Sequence, residues 1–146
     1  MKAETYHELT NRQREEINNF PIAYAFNEKQ LIEALDKLGV KDILECVSVM
    51  GHGDIVKKSD APKLIAMFKR HTKELQEALK NKEFAYEAFL YEMDNHEYAI
   101  NWDGDDDVLA CFAMDYKDLK QMGLVDVYNL ARKEHMRKAH EEWEII

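Results

Sequence analysis

Only two prolines and five glycines punctuate this chain of 146 residues. Proline breaks a helix interior and glycine weakens it, so their scarcity favours long helices over many short strands. The apolar spacing agrees. Tyr6, Leu9, Gln13, Ile17 and Phe20 recur at helical intervals and predict a helix over about 4–19, which Pro21 ends. PIAYAF then reads as a short apolar connector. Asn27 has the character of an N-cap, with Gln30 three residues on as in a capping box. Leu31, Leu35 and Leu38 form the stripe of a second helix, and Gly39 is its natural stop.

The run 43–50, ILECVSVM, alternates as a strand does. GHGD follows as a turn and IVKK as the return strand of a hairpin. Ser59 or Asp60 caps a third helix with Pro62 in its first turn. Leu64, Phe68, His71, Leu75 and Leu79 line that helix out to about residue 80. A further helix is expected over 82–94, a short one over 115–122 ending at Gly123, and a last one over 124–143.

Between them, EYAINW and DVLACFAM read as two strands joined by an Asp-Gly turn. On that reading Trp102 is mostly buried, and Asp105 and Asp106 stand exposed at a hairpin tip. Together the elements predict a helix-rich α+β fold, one domain over 1–146, with a small antiparallel sheet of three or four strands packed by helices.

The charge is unevenly placed. Residues 81–107 hold nine acids against one base, Lys82, and net −8 of the chain's −9. Phe84, Tyr86, Phe89, Tyr91, Tyr98 and Trp102 are interleaved with those acids. Such a surface suits a basic protein partner, steered by charge and held by aromatic contact. Glu92, Asp94, Glu97, Trp102, Asp103, Asp105, Asp106 and Asp107 are the expected partner-binding residues. Direct nucleic-acid binding is not expected, because duplex binders cluster Lys and Arg. The one basic cluster, Arg132, Lys133, Arg137 and Lys138, is answered by Glu134, Glu141 and Glu142. No apolar run approaches the roughly 20 residues of a membrane span. With no signal-peptide pattern at its start, the chain reads as cytoplasmic.

Motifs for chemistry fall short of completion. A calcium loop begun at Asp103 would have acids at its first, third and fifth positions, but Val108 stands where glycine is needed and Met114 where glutamate is needed. His96 and His140 lack the second histidine of a zinc helix motif, since Ile100 and Glu144 stand four residues on. His135 and His140 point about 140° apart on a helix. His71 lies on an apolar stripe and reads as a hydrogen-bonded core histidine. Gly51-His52-Gly53 lacks the third glycine and the immediate helix of a dinucleotide site, so it reads as a tight turn. Lys57-Lys58-Ser59-Asp60 could meet an anion at a helix start. Cys46 and Cys111 match no metal spacing and read as buried, reduced thiols. No catalytic residue, metal or cofactor is expected, and folding should need neither metal nor disulfide.

Three stretches carry a resemblance: FNEKQLIEALDKLGV, GHGDIVKKSDAPKL and YEMDNHEYAINWD. Over about residues 24–103 they resemble a family of small proteins from phages and mobile elements of gut Gram-positive bacteria. The turn departs from that family's more glycine-rich pattern at His52 and Asp54. The resemblance implies an accessory gene product and carries over no site residue. The charge and this context together point to a non-enzymatic interaction protein. Its expected target is a basic surface of a host nucleic-acid enzyme, in the manner of an anti-CRISPR or antirestriction inhibitor. The alternatives are a small enzyme or metal-dependent domain with a His/carboxylate site assembled by the fold, or an acidic protein whose charge serves only solubility. A concave pocket lined by His and carboxylates, as against a convex acidic ridge, would separate the first two.

Overall fold

The computed structural model describes residues 3–145. In chain order the elements are α1 (Tyr6–Asn18), β1 (Ala23–Tyr24), α2 (Glu28–Leu38), β2 (Cys46–Val47), β3 (Asp54–Lys57), α3 (Ala61–Ala78), α4 (Lys82–Asn95), α5 (Gly104–Ala110), α6 (Tyr116–Gln121) and α7 (Val125–Ile145). Short 3-10 turns cover Ile43–Glu45 and Tyr98–Ile100. The fold is helix-rich α+β with a three-stranded antiparallel sheet, as expected. Among the described residues no helix is long and apolar enough to cross a membrane. The chain falls into two compact units: Thr10–His71, and the described residues before Thr10 together with those from Thr72 onward.

In the unit Thr10–His71, β3 is the central strand, with β1 on one side and β2 on the other. Ala23 pairs with Ile55, and Cys46 with Lys57. Ile22, Val56, Leu64 and Met67 form one buried cluster, and Ala23, Ala34 and Leu38 a second. The expected caps of α2 are present. Asn27 accepts the Gln30 N–H at 2.8 Å, and Gly39 adopts φ +71°, where a glycine pays no Cβ penalty. The Gln30 side chain reaches back one residue further than a capping box requires, to the N–H of Phe26.

Two readings of this unit are corrected. The connector PIAYAF contains β1, a pairing too short to show alternation. Of the run 43–50 only Cys46–Val47 is a strand. Asp42 accepts the Leu44 N–H and turns the chain before it, and the Val49 and Met50 N–H groups go to the Asp54 carboxylate rather than to a ladder.

The second unit is built on α4 packed against α7. Phe89 stands edge-on to both Phe112 and Tyr128, with centroids 5.2 Å from each. Tyr6, Leu79, Met93, Val108, Leu109, Leu119 and Ala131 fill the rest of that core.

The hairpin expected over 97–114 is absent. Tyr98–Ile100 is a 3-10 turn, and α5 follows from Gly104. Three aspartates in the first turn of α5 suit the positive end of a helix. Gly104, Val108 and Phe112 are buried at i, i+4 and i+8, and Leu109 with them, which is helical spacing. A Cβ on Gly104 would come within 2.8 Å of the Tyr98 ring, so the glycine serves close approach and not a hairpin turn. Trp102, expected to be buried on a strand face, is 100% exposed, and Ile100 beside it is 69% exposed.

Candidate functional site

The acidic segment is sorted by the fold into three groups. The first faces outward. Trp102, Asp103 and Asp106 are exposed, and neither Asp103 nor Asp106 has a side-chain partner among the described residues. Asp105, exposed as Asp106 is and as expected of both, and the exposed Asp107 are tied down by hydrogen bonds. Asp105 Oδ1 accepts from Tyr98 Oη at 2.8 Å and from Tyr128 Oη at 2.5 Å. Asp107 Oδ2 accepts from Asn101 Nδ2 at 2.9 Å. Burial first, and then the Asp105 carboxylate, push both phenols above their ordinary range.

The second group lines a cleft of about 440 Å³ whose walls include Asp94, Glu97, His135, Lys138, Glu142 and Trp143. Asp94 sits between a histidine and a lysine. Its Oδ1 is 2.7 Å from His135 Nδ1, and its Oδ2 accepts from Lys138 Nζ at 2.7 Å. Burial pushes the Asp94 carboxyl up, but Lys138 and His135 outweigh it and hold it below the usual range. His135 is buried, and its Nε2 accepts the Ala99 N–H at 3.1 Å. That bond fixes the proton on Nδ1, where it points at Asp94. Both ring nitrogens are engaged, so no lone pair is left to take a proton from a substrate in the cleft. Glu97 adopts φ +51° at the turn out of α4.

The third group is interior. Glu92 is only 7% exposed, which removes it from any docking face. One turn on, His96 caps α4, and its Nε2 lies 3.3 Å from the Sγ of Cys111 at the end of α5. The donor atoms of Glu92, His96 and Cys111 all lie within 4.8 Å of one another. Burial, then the Glu92 and Asp107 carboxylates, push the Cys111 thiol up to about 12. That is the reverse of what an activated nucleophile needs. Neither a helix-borne His pair nor a C-x-x-C spacing marks this grouping in the sequence. The readable signal was Glu92 and His96 at i and i+4. Cys111 comes from another element and is joined to them only by the fold.

In the other unit, the glycine turn is filled by its own side chain. Asp54 is buried and accepts from the N–H groups of Val49, Met50 and His52 and from Ser48 Oγ, at 2.8 to 3.3 Å. Burial opposes its ionised form, but these four donors outweigh that and hold its carboxyl well below the usual range. The turn's Val49, Met50 and His52 N–H groups are thus occupied by Asp54 and not turned to a phosphate. His71 is buried with its Nε2 3.3 Å from Glu16 Oε2, the hydrogen-bonded core histidine that its position predicted, and Glu16 also pairs with Arg70. Cys46 and Cys111 are free thiols, each half-buried; Cys111 stands on a helix end rather than on a strand.

A family model described as a family of unknown function, DUF7659, matches residues 5–135. Comparison with curated proteins gives no match, and comparison with solved structures gives none.

Proposed function

The chain belongs to the DUF7659 family of unknown function, and from its own geometry we propose that it is a non-enzymatic interaction protein. It docks on a basic protein surface through Trp102 and the outward acids of α5. The observation that carries this reading is the full exposure of Trp102 beside Asp103 and Asp106. A tryptophan left in water adds nothing to the core. Aromatic anchors of this kind dominate binding energy when a partner covers them. The excess negative charge of the segment steers a basic partner into place, an effect that salt screens over about 10 Å at 0.1 M.

The basic surface that fits best is the nucleic-acid groove of an enzyme, which is built from lysine and arginine to hold phosphates. An accessory protein of a phage or mobile element that occupies such a groove is the sharp form of the proposal. The cleft at Asp94 and His135 is concave, as the enzymatic alternative requires. It supports that alternative less well, because His135 is committed to the fold through both nitrogens.

Bacterial lysate passed over the immobilised chain, with and without competing duplex DNA, tests the reading. A nucleic-acid-binding protein should be retained, released by DNA and by salt, and lost when Trp102→Ala or Asp103→Lys/Asp106→Lys is used. Retention that none of these changes would leave the charge as a solubility device.

A further inference from the structure

We propose that Glu92, His96 and Cys111 form a binding site for one divalent transition ion of the zinc class, a feature separate from the docking face. Carboxylate oxygen, imidazole nitrogen and thiolate sulfur are the donor types that zinc accepts, and the sulfur disfavours calcium and magnesium. The spacing fits. Zn–S and Zn–N bonds of about 2.3 and 2.0 Å across a near-tetrahedral angle hold their donor atoms about 3.5 Å apart. His96 Nε2 and Cys111 Sγ stand 3.3 Å apart, and all three donor atoms fall within 4.8 Å.

The charge fits as well. Glu92 is a buried carboxylate whose hydrogen-bond donors, Tyr6 and Asn95, are both uncharged. One carboxylate, one thiolate and one neutral imidazole balance a dication. The thiol proton leaves to solvent when the metal–sulfur bond forms. Glu92 is held for the task by its neighbours. Tyr6 Oη donates to its Oε2 at 2.8 Å, and Asn95 Nδ2 to its Oε1 at 3.3 Å. Such outer contacts orient metal ligands. Three protein donors leave a fourth position to water. The ion joins the end of α4 to the end of α5, so it stiffens the turn that presents Trp102 without being needed for the fold.

Cobalt(II) titrated into the full chain tests the site, because thiolate-bound cobalt has a charge-transfer absorption that oxygen and nitrogen ligands do not give. The chain has two cysteines, so Cys46→Ser leaves Cys111 as the one thiolate ligand. The expected result is one cobalt per chain, with the band undiminished in Cys46→Ser, bleached by zinc, and absent in Cys111→Ser. Tyr6→Phe should weaken binding about tenfold. Absence of the band in the unaltered chain, or its loss in Cys46→Ser, overturns the proposal. Neither result depends on whether Cys111→Ser folds.

Discussion

Tyr128 donates a 2.5 Å hydrogen bond to Asp105 Oδ1, the same oxygen that Tyr98 reaches at 2.8 Å. An acid in the first turn of α5 is thus an anchor for α7 and for the preceding turn. Adjacent residues of one acidic run do different work, and charge alone does not reveal which.

Asp105→Asn and Asp106→Asn should therefore separate. The first puts an amide where two phenols donate, and should cost about 1–3 kcal/mol. The second changes an exposed side chain and should stay within about 0.5 kcal/mol. Urea denaturation followed by circular dichroism measures both. Equal losses would show that the two phenols do not depend on Asp105. A four-lysine replacement of Asp103, Asp105, Asp106 and Asp107, which would be fold-neutral on a hairpin tip, is expected to destabilise the unit for the same reason.

Trp102→Ala should leave stability within about 0.5 kcal/mol of the unaltered chain, because the side chain is fully exposed. Affinity for a basic partner should fall by about 2 kcal/mol or more. The calorimetric melt checks the first figure and titration of the captured partner the second. A large drop in the melt would show that Trp102 contributes to folding.

Asp54→Asn should cost about 1–3 kcal/mol, since an amide turns one acceptor into a donor facing backbone N–H groups. The pH dependence has a definite sign. The folded carboxyl lies below its ordinary value of 3.8, so its contribution is complete above that value and is lost as pH falls below it. The stability gap between the unaltered chain and Asp54→Asn should narrow in acid. A gap that stayed constant from neutral pH down through that range would mean that Asp54 is not held ionised by the turn.

Gly53→Ala and Gly51→Ala make a paired test. Both glycines have positive φ, +82° and +77°, and either alanine carries strain of about 1–3 kcal/mol. A Cβ at Gly53 also meets the Phe26 ring at 2.5 Å, whereas one at Gly51 meets nothing within 4 Å. Gly53→Ala should be the more damaging. Phe26→Ala should erase the difference and leave the common strain. An equal loss for the two glycine variants in the presence of Phe26 would show that the ring simply moves aside.

Most helices were legible because stripe and cap agreed. Asn27 and Gly39 bracket α2, and α4 lies within a residue of its expected end; the Asp115–Asp118 capping box of α6 is seen only in the structure. The acidic turn was not legible because two patterns fit it. Val108, Phe112 and Met114 satisfy a two-residue period, and Val108, Leu109 and Phe112 a helical one. Only the burial of Leu109 and the exposure of Ala110 decide between them. The Asp-Gly pair favoured a turn, while three aspartates at a helix start favoured α5. β1 and β2 pair over two residues each, below the length at which alternation can be read. Of the expected partner-binding residues, the structure leaves Trp102, Asp103 and Asp106 outward, holds Asp105 and Asp107 by hydrogen bonds, places Asp94 and Glu97 in a cleft, and buries Glu92. The alternation in EYAINW puts Trp102 on the inner face of a strand, but exposure is decided by where the neighbouring backbone turns.

The placement of the indoles has an optical consequence. The chain has two tryptophans, one fully in water and the other, Trp143, 51% exposed. Neither belongs to the apolar interior. Their emission is therefore water-like in the native state and shifts little on denaturation, so a fluorescence melt will run nearly flat through a transition that circular dichroism records in full. The same indoles are well placed to report contact. A blue shift of the emission marks the arrival of something that covers Trp102, with almost no background from the folding equilibrium.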